Sequence, residues 1–314
     1  MSEAWIIDGV RSPRGRGKPG VGSLSEIHPQ RIMAQVLNGL KDKVGFDPAD
    51  VEDFVAGNGS GTGDHAHDIA RMSVLDAGWP ITTPGVTLHR FCGSGQQAVT
   101  VAAQSIMAGH QDLVIGGGVE SMSRYAPNHT DGFTANNTHL FEQYPLIPQG
   151  ISADLIATIE GFSREDVDGY AVRSQERTQA SIEAGYFKSG LVPIYHADGR
   201  LALDRDEHPR PGTTMESMVG LNPSFEKMGK TLYDGQVRTF DDICKSVYPN
   251  VKAMTHVHHA GNSSGVVDGA SAILLASPKY AKAHGLKPRA RIVMTATAGT
   301  EPVIMLTAPG PAAE

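Results

Sequence analysis

The chain has 314 residues, which exceeds the usual size of a single domain and predicts about two domains or one large composite. Hydrophobic residues make up 40% and charged residues 19%, and the 36 glycines are spread along the chain, so a disordered or collagen-like protein is excluded. The formal net charge of -7 gives no excess of basic residues that would attract a polyanion, and we expect no nucleic-acid partner.

The first part of the chain alternates short β-rich runs with segments of helical period. The predicted strands are residues 4–10, 51–59, 85–91 and 112–118, and the predicted helices are residues 28–44, 64–78 and 93–109. This order is typical of a parallel sheet, and right-handed crossovers should place the helices on both of its faces.

The amino-acid composition changes at Arg124, and residues 124–150 are polar and rich in aromatic residues and proline. We interpret this stretch as a boundary. Residues 151–187 then carry helical spacing, with an N-cap signal at Ser163 followed by Glu165 and Asp166, which predicts a helical insertion. Residues 269–277 could supply a fifth strand to the first sheet, and residues 291–299 predict a further strand.

The two cysteines, Cys92 and Cys244, have neither metal-site spacing nor a disulfide framework, which fits a reducing compartment. The amino-terminal residues lack the charged-then-apolar order of a secretory signal, and no apolar run has the length of a membrane span. We therefore expect a cytoplasmic protein. The histidines of "DHAHD" and "HVHH" have no nearby thiolate, so we expect no metal, although His259 could contact a ligand.

The stretch "LHRFCGSGQQAV" places Cys92 between a predicted strand and a predicted helix. Unpaired N–H groups and the helix dipole stabilise a thiolate at such a junction. Gly93, Ser94 and Gly95 leave room for a substrate carbonyl to approach the sulfur and meet backbone donors. A free cysteine is also among the most frequently buried residues, so position alone leaves a nucleophile and a packed sulfur both open. Cys244 lies outside any such junction and is expected to be structural.

Four segments together carry a resemblance to the thiolase family, the coenzyme-A-dependent enzymes that cleave or form 3-ketoacyl-CoA. They are "RFCGSGQQAV", "GGGVESMSR" (116–124), "DEHPRPGTTMESM" (206–218) and "GNSSGVVDGASA" (261–272), in family order. The similarity covers essentially the whole chain. It is closest to the degradative, fatty-acid-oxidation branch, notably the β subunit of bacterial trifunctional complexes.

The resemblance implies an α/β fold: a thiolase-like βαβαβαββ layered half with a helical loop-domain insertion. It divides the chain into an amino-terminal half (1–124), a loop domain (125–250), a return to the first half (251–290) and the start of a carboxy-terminal half (291–314). The activating His, the second Cys and the Asn of the family normally lie in that last half, so we expect the sequence to be truncated.

The resemblance also implies ping-pong thiolysis, in which Cys92 takes the acyl group as a thioester and releases acetyl-CoA. It places Arg210 near the coenzyme A nucleotide, Phe225 against its apolar portion, and Ala260 and Ser264 near its pantetheine. Met305 would line the acyl pocket. Coenzyme A is then a co-substrate with no permanently bound cofactor, and the implied partners are a second copy in a homodimer or larger assembly and a hydratase/dehydrogenase subunit.

Three hypotheses remain open at this point. The first is an acyl-CoA C-acyltransferase, and the second is a catalytically silent coenzyme-A-binding or assembly fragment of a thiolase. A condensing enzyme of the ketoacyl-synthase type is a third, since it also holds a cysteine at a helix amino terminus.

Overall fold

The computed structural model describes residues 3–125, 137–232 and 237–314, which form two compact units. The first unit contains residues 3–125, Gly185–His208 and Gly265–Thr295, and the second contains the described residues of 137–184, 209–264 and 296–314. The four-part division made from the sequence stays a prediction. Part of the expected boundary at 124–150 falls on residues 126–136, outside the described residues.

The first unit is built on a mixed sheet. Its strands are β1 (Trp5–Arg11), β2 (Gly15–Arg16), β3 (Asp53–Gly57), β4 (Val86–Leu88) and β5 (Leu113–Ser121), and a separate pair is formed by β6 (Ile194–Tyr195) and β7 (Leu201–Leu203). β8 (Val267–Ala276) and β9 (Ala290–Arg291) complete the main sheet, whose order is β4-β3-β5-β8-β1-β9, with β2 paired to β8.

The helices divide between the units. The first unit holds α1 (Pro29–Val44), α2 (Ile69–Asp76), α3 (Ser94–Met107) and, later in the chain, α10 (Pro278–Ala283). The second holds α4 (Thr138–Gln143), α5 (Gln149–Glu160), α6 (Arg164–Glu183), α7 (Met215–Met218), α8 (Glu226–Gly229), α9 (Phe240–Val247) and α11 (Pro309–Ala313). None of the helices among the described residues combines the length and the apolar character needed to cross a membrane.

Helices cover both faces of the sheet, as the strand–helix alternation predicts. Alternate residues of β5 point to opposite faces, so Ile115 packs in a core with α1 and α2, while Val114 packs in another with α3. In α1 the buried residues recur at helical spacing and include Ile32, Val36 and Leu40.

The parallel arrangement predicted from the first part of the chain is confirmed for β1, β3, β4 and β5, whereas β8, for which the sequence predicted no direction, runs the other way. β3 runs parallel to β4 and β5, but β8 runs antiparallel to both of its neighbours, β5 and β1. The register explains the reversal: Ser121, the last residue of β5, pairs with Asp268 near the start of β8. The chain therefore returns to the sheet at the edge where it left, and it runs back along β5.

Two further expectations from the sequence need correction. The strand predicted over 291–299 is limited to Ala290–Arg291, which pairs with Ile6 and Trp5 at the start of β1. Because β1 begins at Trp5, the residues after Arg291 have no further strand residues to pair with. The helix predicted over 64–78 is divided. A 3-10 turn at Gly63–His65 precedes α2, which begins at Ile69 because the Asp68 side chain accepts from the Arg71 N–H and caps it.

The second unit has its own core. Its largest buried side chains include Phe141, Ile151, Leu155, Ile243 and Val303, and Cys244 is fully buried among them. The N-cap predicted at Ser163 is confirmed, since Ser163 and Asp166 form a reciprocal capping box at the start of α6.

Candidate active site

Cys92 lies in the turn that joins β4 to α3, and it is exposed. The residue before it, Phe91, has a φ of 46°, in the left-handed region that a residue with a bulky side chain rarely adopts. α3 begins at Ser94, two residues after the cysteine. The sequence prediction of a cysteine at a strand-to-helix junction is therefore confirmed, and its exposure removes the alternative of a sulfur packed in the core.

The side chain of Ser94 fixes this turn. Its hydroxyl accepts the Arg90 N–H at 2.8 Å and donates to the Phe91 carbonyl oxygen at 2.6 Å. The Ser94 N–H also donates to the Phe91 carbonyl at 3.1 Å, and Ser94 is only 3% exposed. A buried hydroxyl that makes both bonds holds the left-handed residue in place, and with it the backbone of Cys92.

Glycines in the sheet let α3 approach its surface closely. A Cβ atom on Gly57, at the end of β3, would lie 2.2 Å from the Ser94 carbonyl carbon. A Cβ atom on Gly116 of β5 would lie 2.7 Å from the Val99 Cα. Only glycine allows these approaches, and as a result the first turn of α3 lies at the carboxyl edge of the parallel strands.

A carboxylate lies next to the cysteine turn. Glu120, near the end of β5, accepts the Gly59 N–H at 2.6 Å and the Asn58 side-chain N–H at 3.3 Å. A Cβ atom on Gly59 would lie 3.4 Å from the Phe91 carbonyl oxygen, so this loop touches the backbone just before Cys92. Glu120 thus ties the segment after β3 to the end of β5.

Tyr125 completes this polar group. Burial raises the pKa of its phenol, and the charge of Glu120, a hydrogen bond to Glu120 and the proximity of Cys92 raise it further. The phenol therefore stays protonated and donates to Glu120. Sequence reasoning did not single out Glu120 or Tyr125, although Glu120 lies within the segment "GGGVESMSR" that resembles the thiolase family.

His65 and Asp268 are buried beneath this edge. His65 accepts the Ser121 N–H on its Nε2 atom at 2.9 Å, and Asp268 accepts the Ser123 N–H and hydroxyl at 2.9 and 2.6 Å. Burial lowers the pKa of His65, so its ring is neutral, and burial raises the pKa of Asp268. His65 holds the end of β5 and is not exposed to a substrate.

The other site residues named from the sequence lie in the second unit. Arg210 is exposed and its N–H donates to the Gln175 side chain of α6 at 3.0 Å. Phe225 is half-buried against Gly150 of α5, where an added Cβ would lie 2.2 Å from its ring. Met305 is half-buried and has a φ of 55°.

Ala260 and Ser264 lie in one exposed loop that precedes β8. The Ser224 N–H donates to the His258 carbonyl at 2.9 Å, which joins this loop to the residue before Phe225. The structure thus brings Phe225 to the loop that holds Ala260 and Ser264. The histidines there make hydrogen bonds with aspartates, and no group of three or more His, Cys, Asp or Glu side chains within the described ranges has a metal-site arrangement.

Cys244 differs from Cys92 in its exposure to solvent. It is fully buried in α9, and burial raises the pKa of its thiol to about 12, with the charge of Asp241 adding to the rise. The expectation that Cys244 is structural agrees with this environment.

Comparison with known proteins adds independent information. The model of the thiolase amino-terminal domain family matches residues 4–237. A steroid 3-ketoacyl-CoA thiolase of Mycobacterium tuberculosis is 37% identical over 99% of this chain and 71% of its own length. A β-ketoadipyl-CoA thiolase of Pseudomonas aeruginosa is 36% identical over 99% of this chain and 75% of its own length.

The fold shows the same likeness. The crystal structure of the Bacillus anthracis acetyl-CoA acetyltransferase superposes with a TM-score of 0.78 and 31% identity, over 100% of this chain and 75% of that one. Enzymes of this class transfer acyl groups with coenzyme A as co-substrate, and they carry no resident cofactor. The family model, the relatives and the superposition agree with the α/β fold and the motifs described above, and this chain belongs to the thiolase family, as an acyltransferase of that class.

Proposed function

We propose that the protein cleaves a 3-ketoacyl-CoA by thiolysis, through an acyl-enzyme on Cys92. The observation that carries the proposal is the exposed thiol at the amino terminus of α3, held in a left-handed turn by Ser94. A nucleophile in this position is reached by a substrate carbonyl, and the first-turn N–H groups lie beside it.

In the first half-reaction the Cys92 sulfur attacks the C3 ketone of the substrate and forms a C–S bond. The C2–C3 bond then breaks, its electron pair stays on C2 of the leaving acetyl-CoA, and C2 gains one proton, which balances the proton lost from the Cys92 thiol. The shortened acyl group remains as a thioester on Cys92. The amino-terminal end of α3, whose dipole favours negative charge, follows directly after the sulfur that makes this attack.

In the second half-reaction the thiol of a second coenzyme A loses its proton and attacks the thioester carbonyl. The bond to the Cys92 sulfur breaks, the acyl chain leaves as acyl-CoA, and the sulfur takes up one proton, equal to the one lost by coenzyme A, so that the free thiol is restored. Cys244 takes no part in these proton transfers, because it is buried and its thiol pKa is raised to about 12.

Binding of coenzyme A is assigned to the second unit. Arg210 would contact the nucleotide, Phe225 the apolar portion, Ala260 and Ser264 the pantetheine, and Met305 the acyl pocket. The exposure of Arg210, Ala260 and Ser264 and the bond that joins the loop to Ser224 support this assignment.

The substrate is a 3-ketoacyl-CoA of the degradative type, and fatty-acid oxidation in the cytoplasm is the proposed setting. Relatives named for steroid 3-ketoacyl-CoA and β-ketoadipyl-CoA support the 3-ketoacyl class. A homodimer or larger assembly is proposed, together with a hydratase/dehydrogenase subunit as partner. The edge position of β4 and the 45% exposure of Val86 favour pairing with a second copy there.

Alkylation and turnover together test the proposal. Iodoacetamide should label Cys92 quickly at neutral pH while the buried Cys244 stays unlabelled, and acetoacetyl-CoA should be cleaved in the presence of coenzyme A. Cys92→Ala should lower the rate by at least about 10³-fold. Slow labelling of Cys92 without turnover would instead favour a silent coenzyme-A-binding fragment.

A further inference from the structure

Two buried carboxylates lie behind the loop that carries Ala260 and Ser264. Asp154 projects from α5 and is fully buried, and Asp168 projects from α6 and is 3% exposed. Buried carboxylates cost free energy unless they are paired and hydrogen-bonded, so their partners show what they hold. All of the partners described below lie in residues 256–262 or on α6.

Asp154 holds the start of the loop. Its Oδ1 atom accepts the backbone N–H groups of Val257 and His258 at 3.0 and 3.1 Å, and the His258 Nδ1 atom lies 2.7 Å away. Its Oδ2 atom lies 2.7 Å from the His256 Nδ1 atom. These bonds hold the pKa of Asp154 below its usual value although burial raises it.

Asp168 holds the end of the loop through His259. Its Oδ1 atom accepts from the His259 Nε2 atom and from the Asn262 side chain, both at 2.8 Å, and its Oδ2 atom accepts the Arg164 Nε–H at 2.6 Å. His259 is 1% exposed, so its ring faces the aspartate and not the solvent side of the loop.

The second nitrogen of His259 acts on the loop itself. Its Nδ1 atom accepts the Gly261 N–H at 3.0 Å, which requires the proton of the neutral ring to be on Nε2, toward Asp168. The His259 N–H in turn donates to the Asn262 side-chain oxygen at 2.8 Å. The His259 imidazole therefore connects the Asp168 carboxylate to the backbone N–H of Gly261.

Neighbouring side chains also restrict the space around Gly261. An added Cβ would lie 2.9 Å from the His259 Cε1 atom and 3.0 Å from both Met218 Sδ and Leu221 Cδ1. Ala260, Ser263 and Ser264 are exposed on the loop, free of this packing. The inner side of the loop is fixed, and the outer side is open to a ligand.

We propose that His259 and Asp168 are positioning residues for the pantetheine of coenzyme A: they set the backbone of residues 260–264 from behind without touching the ligand. The inference rests on the proposed function, which assigns Ala260 and Ser264 to pantetheine. It differs from that proposal in naming what orders the loop, and it excludes the direct ligand contact considered for His259 from the sequence.

The test compares two ligands on a series of variants at His259. Coenzyme A contains both a nucleotide and pantetheine, whereas adenosine 3',5'-bisphosphate contains a nucleotide but no pantetheine. His259→Ala should weaken coenzyme A binding by about 10-fold, the size expected for losing hydrogen bonds to a charged partner, and should leave the affinity for the bisphosphate unchanged. Titration calorimetry on the whole chain measures both.

Conservative variants separate positioning from simple loss of structure. His259→Asn keeps an acceptor near the Gly261 N–H, and His259→Gln keeps a donor toward Asp168, so each should restore part of the coenzyme A affinity. The exposed His110, in the first unit, gives the matched control His110→Ala, which should bind both ligands like the wild type.

The outcomes are distinct. If Ser264→Ala weakens coenzyme A binding but His259→Ala does not, the positioning inference is wrong while the proposed function stands. If His259→Ala weakens both ligands equally, the residue is only structural and the inference is again wrong. If the wild-type chain binds no coenzyme A, the proposed function itself fails.

Discussion

The Ser94 hydroxyl donates a 2.6 Å hydrogen bond to the carbonyl oxygen of Phe91, whose φ of 46° turns the chain immediately before Cys92. The same hydroxyl accepts the Arg90 N–H, so one buried side chain connects the residues on the amino-terminal side of Cys92 to the first turn of α3. The geometry of the proposed nucleophile therefore depends on a residue that performs no chemistry itself.

Ser94→Ala should destabilise the protein by about 1 kcal/mol, because it removes two hydrogen bonds in a buried position. It should also slow alkylation of Cys92 severalfold, since the turn is no longer held. Chemical denaturation and iodoacetamide kinetics measure the two effects. Ser181→Ala is the matched control: its hydroxyl donates to the Arg177 carbonyl in an exposed part of α6. Equal alkylation rates in both variants would show that Ser94 does not position the cysteine.

The left-handed conformation of Phe91 gives a second prediction. Phe91→Val should cost about 1–2 kcal/mol of stability, because a β-branched residue is disfavoured at positive φ. Phe91→Gly should stay within about 1 kcal/mol of the wild type, since glycine adopts this region freely and the Phe91 side chain is 63% exposed. If valine is tolerated as well as glycine, the turn before Cys92 does not have the left-handed backbone described here.

Asp206 should make the first unit sensitive to acid. Burial raises the pKa of its carboxyl, but hydrogen bonds from Arg11 and the Arg14 N–H lower it to about 2, from an ordinary value of 3.8. Because the folded pKa is depressed, the stabilisation is fully present above the ordinary value and is lost as the pH falls toward 2. Its size is at most about 2 kcal/mol.

Denaturation curves between pH 2 and pH 5 measure this effect. Asp206→Asn should remove the part of this pH dependence that Asp206 contributes. Asp198→Asn should change it much less, because the Asp198–Arg200 pair is solvated, with side chains 56% and 72% exposed. An unchanged acid profile in Asp206→Asn would show that the Arg11–Asp206 pair does not stabilise the folded protein.

The sequence predicted the main elements of the first unit because its local signals agree with its packing. The periodic apolar positions of α1 and the capping box at Ser163 are local properties, and both are seen in the structure. The direction of β8 was not predictable in this way. It depends on where the chain returns after the second unit, and the pairing of Ser121 with Asp268 is a contact between residues far apart in sequence.

The candidate site shows the same division. Cys92 was identifiable because a strand signal, small residues and a helix signal are adjacent in the sequence. Glu120 and Tyr125 lie at and just after the end of β5, whereas His65 precedes α2, and the two segments meet only in the folded sheet, so their spacing does not reveal the group. His259 was noticed beside the coenzyme A loop, but its inward orientation depends on Asp168 of a distant helix.

The most direct test is the mass of the protein after brief incubation with acetyl-CoA and acid quenching. The mechanism predicts an adduct with the mass of one acetyl group, located on the peptide that contains Cys92, and an equal amount of free coenzyme A. The adduct should disappear in Cys92→Ala and on addition of excess coenzyme A. Binding of acetyl-CoA without any acetylation of Cys92, or acetylation at another residue, would contradict the proposed acyl-enzyme.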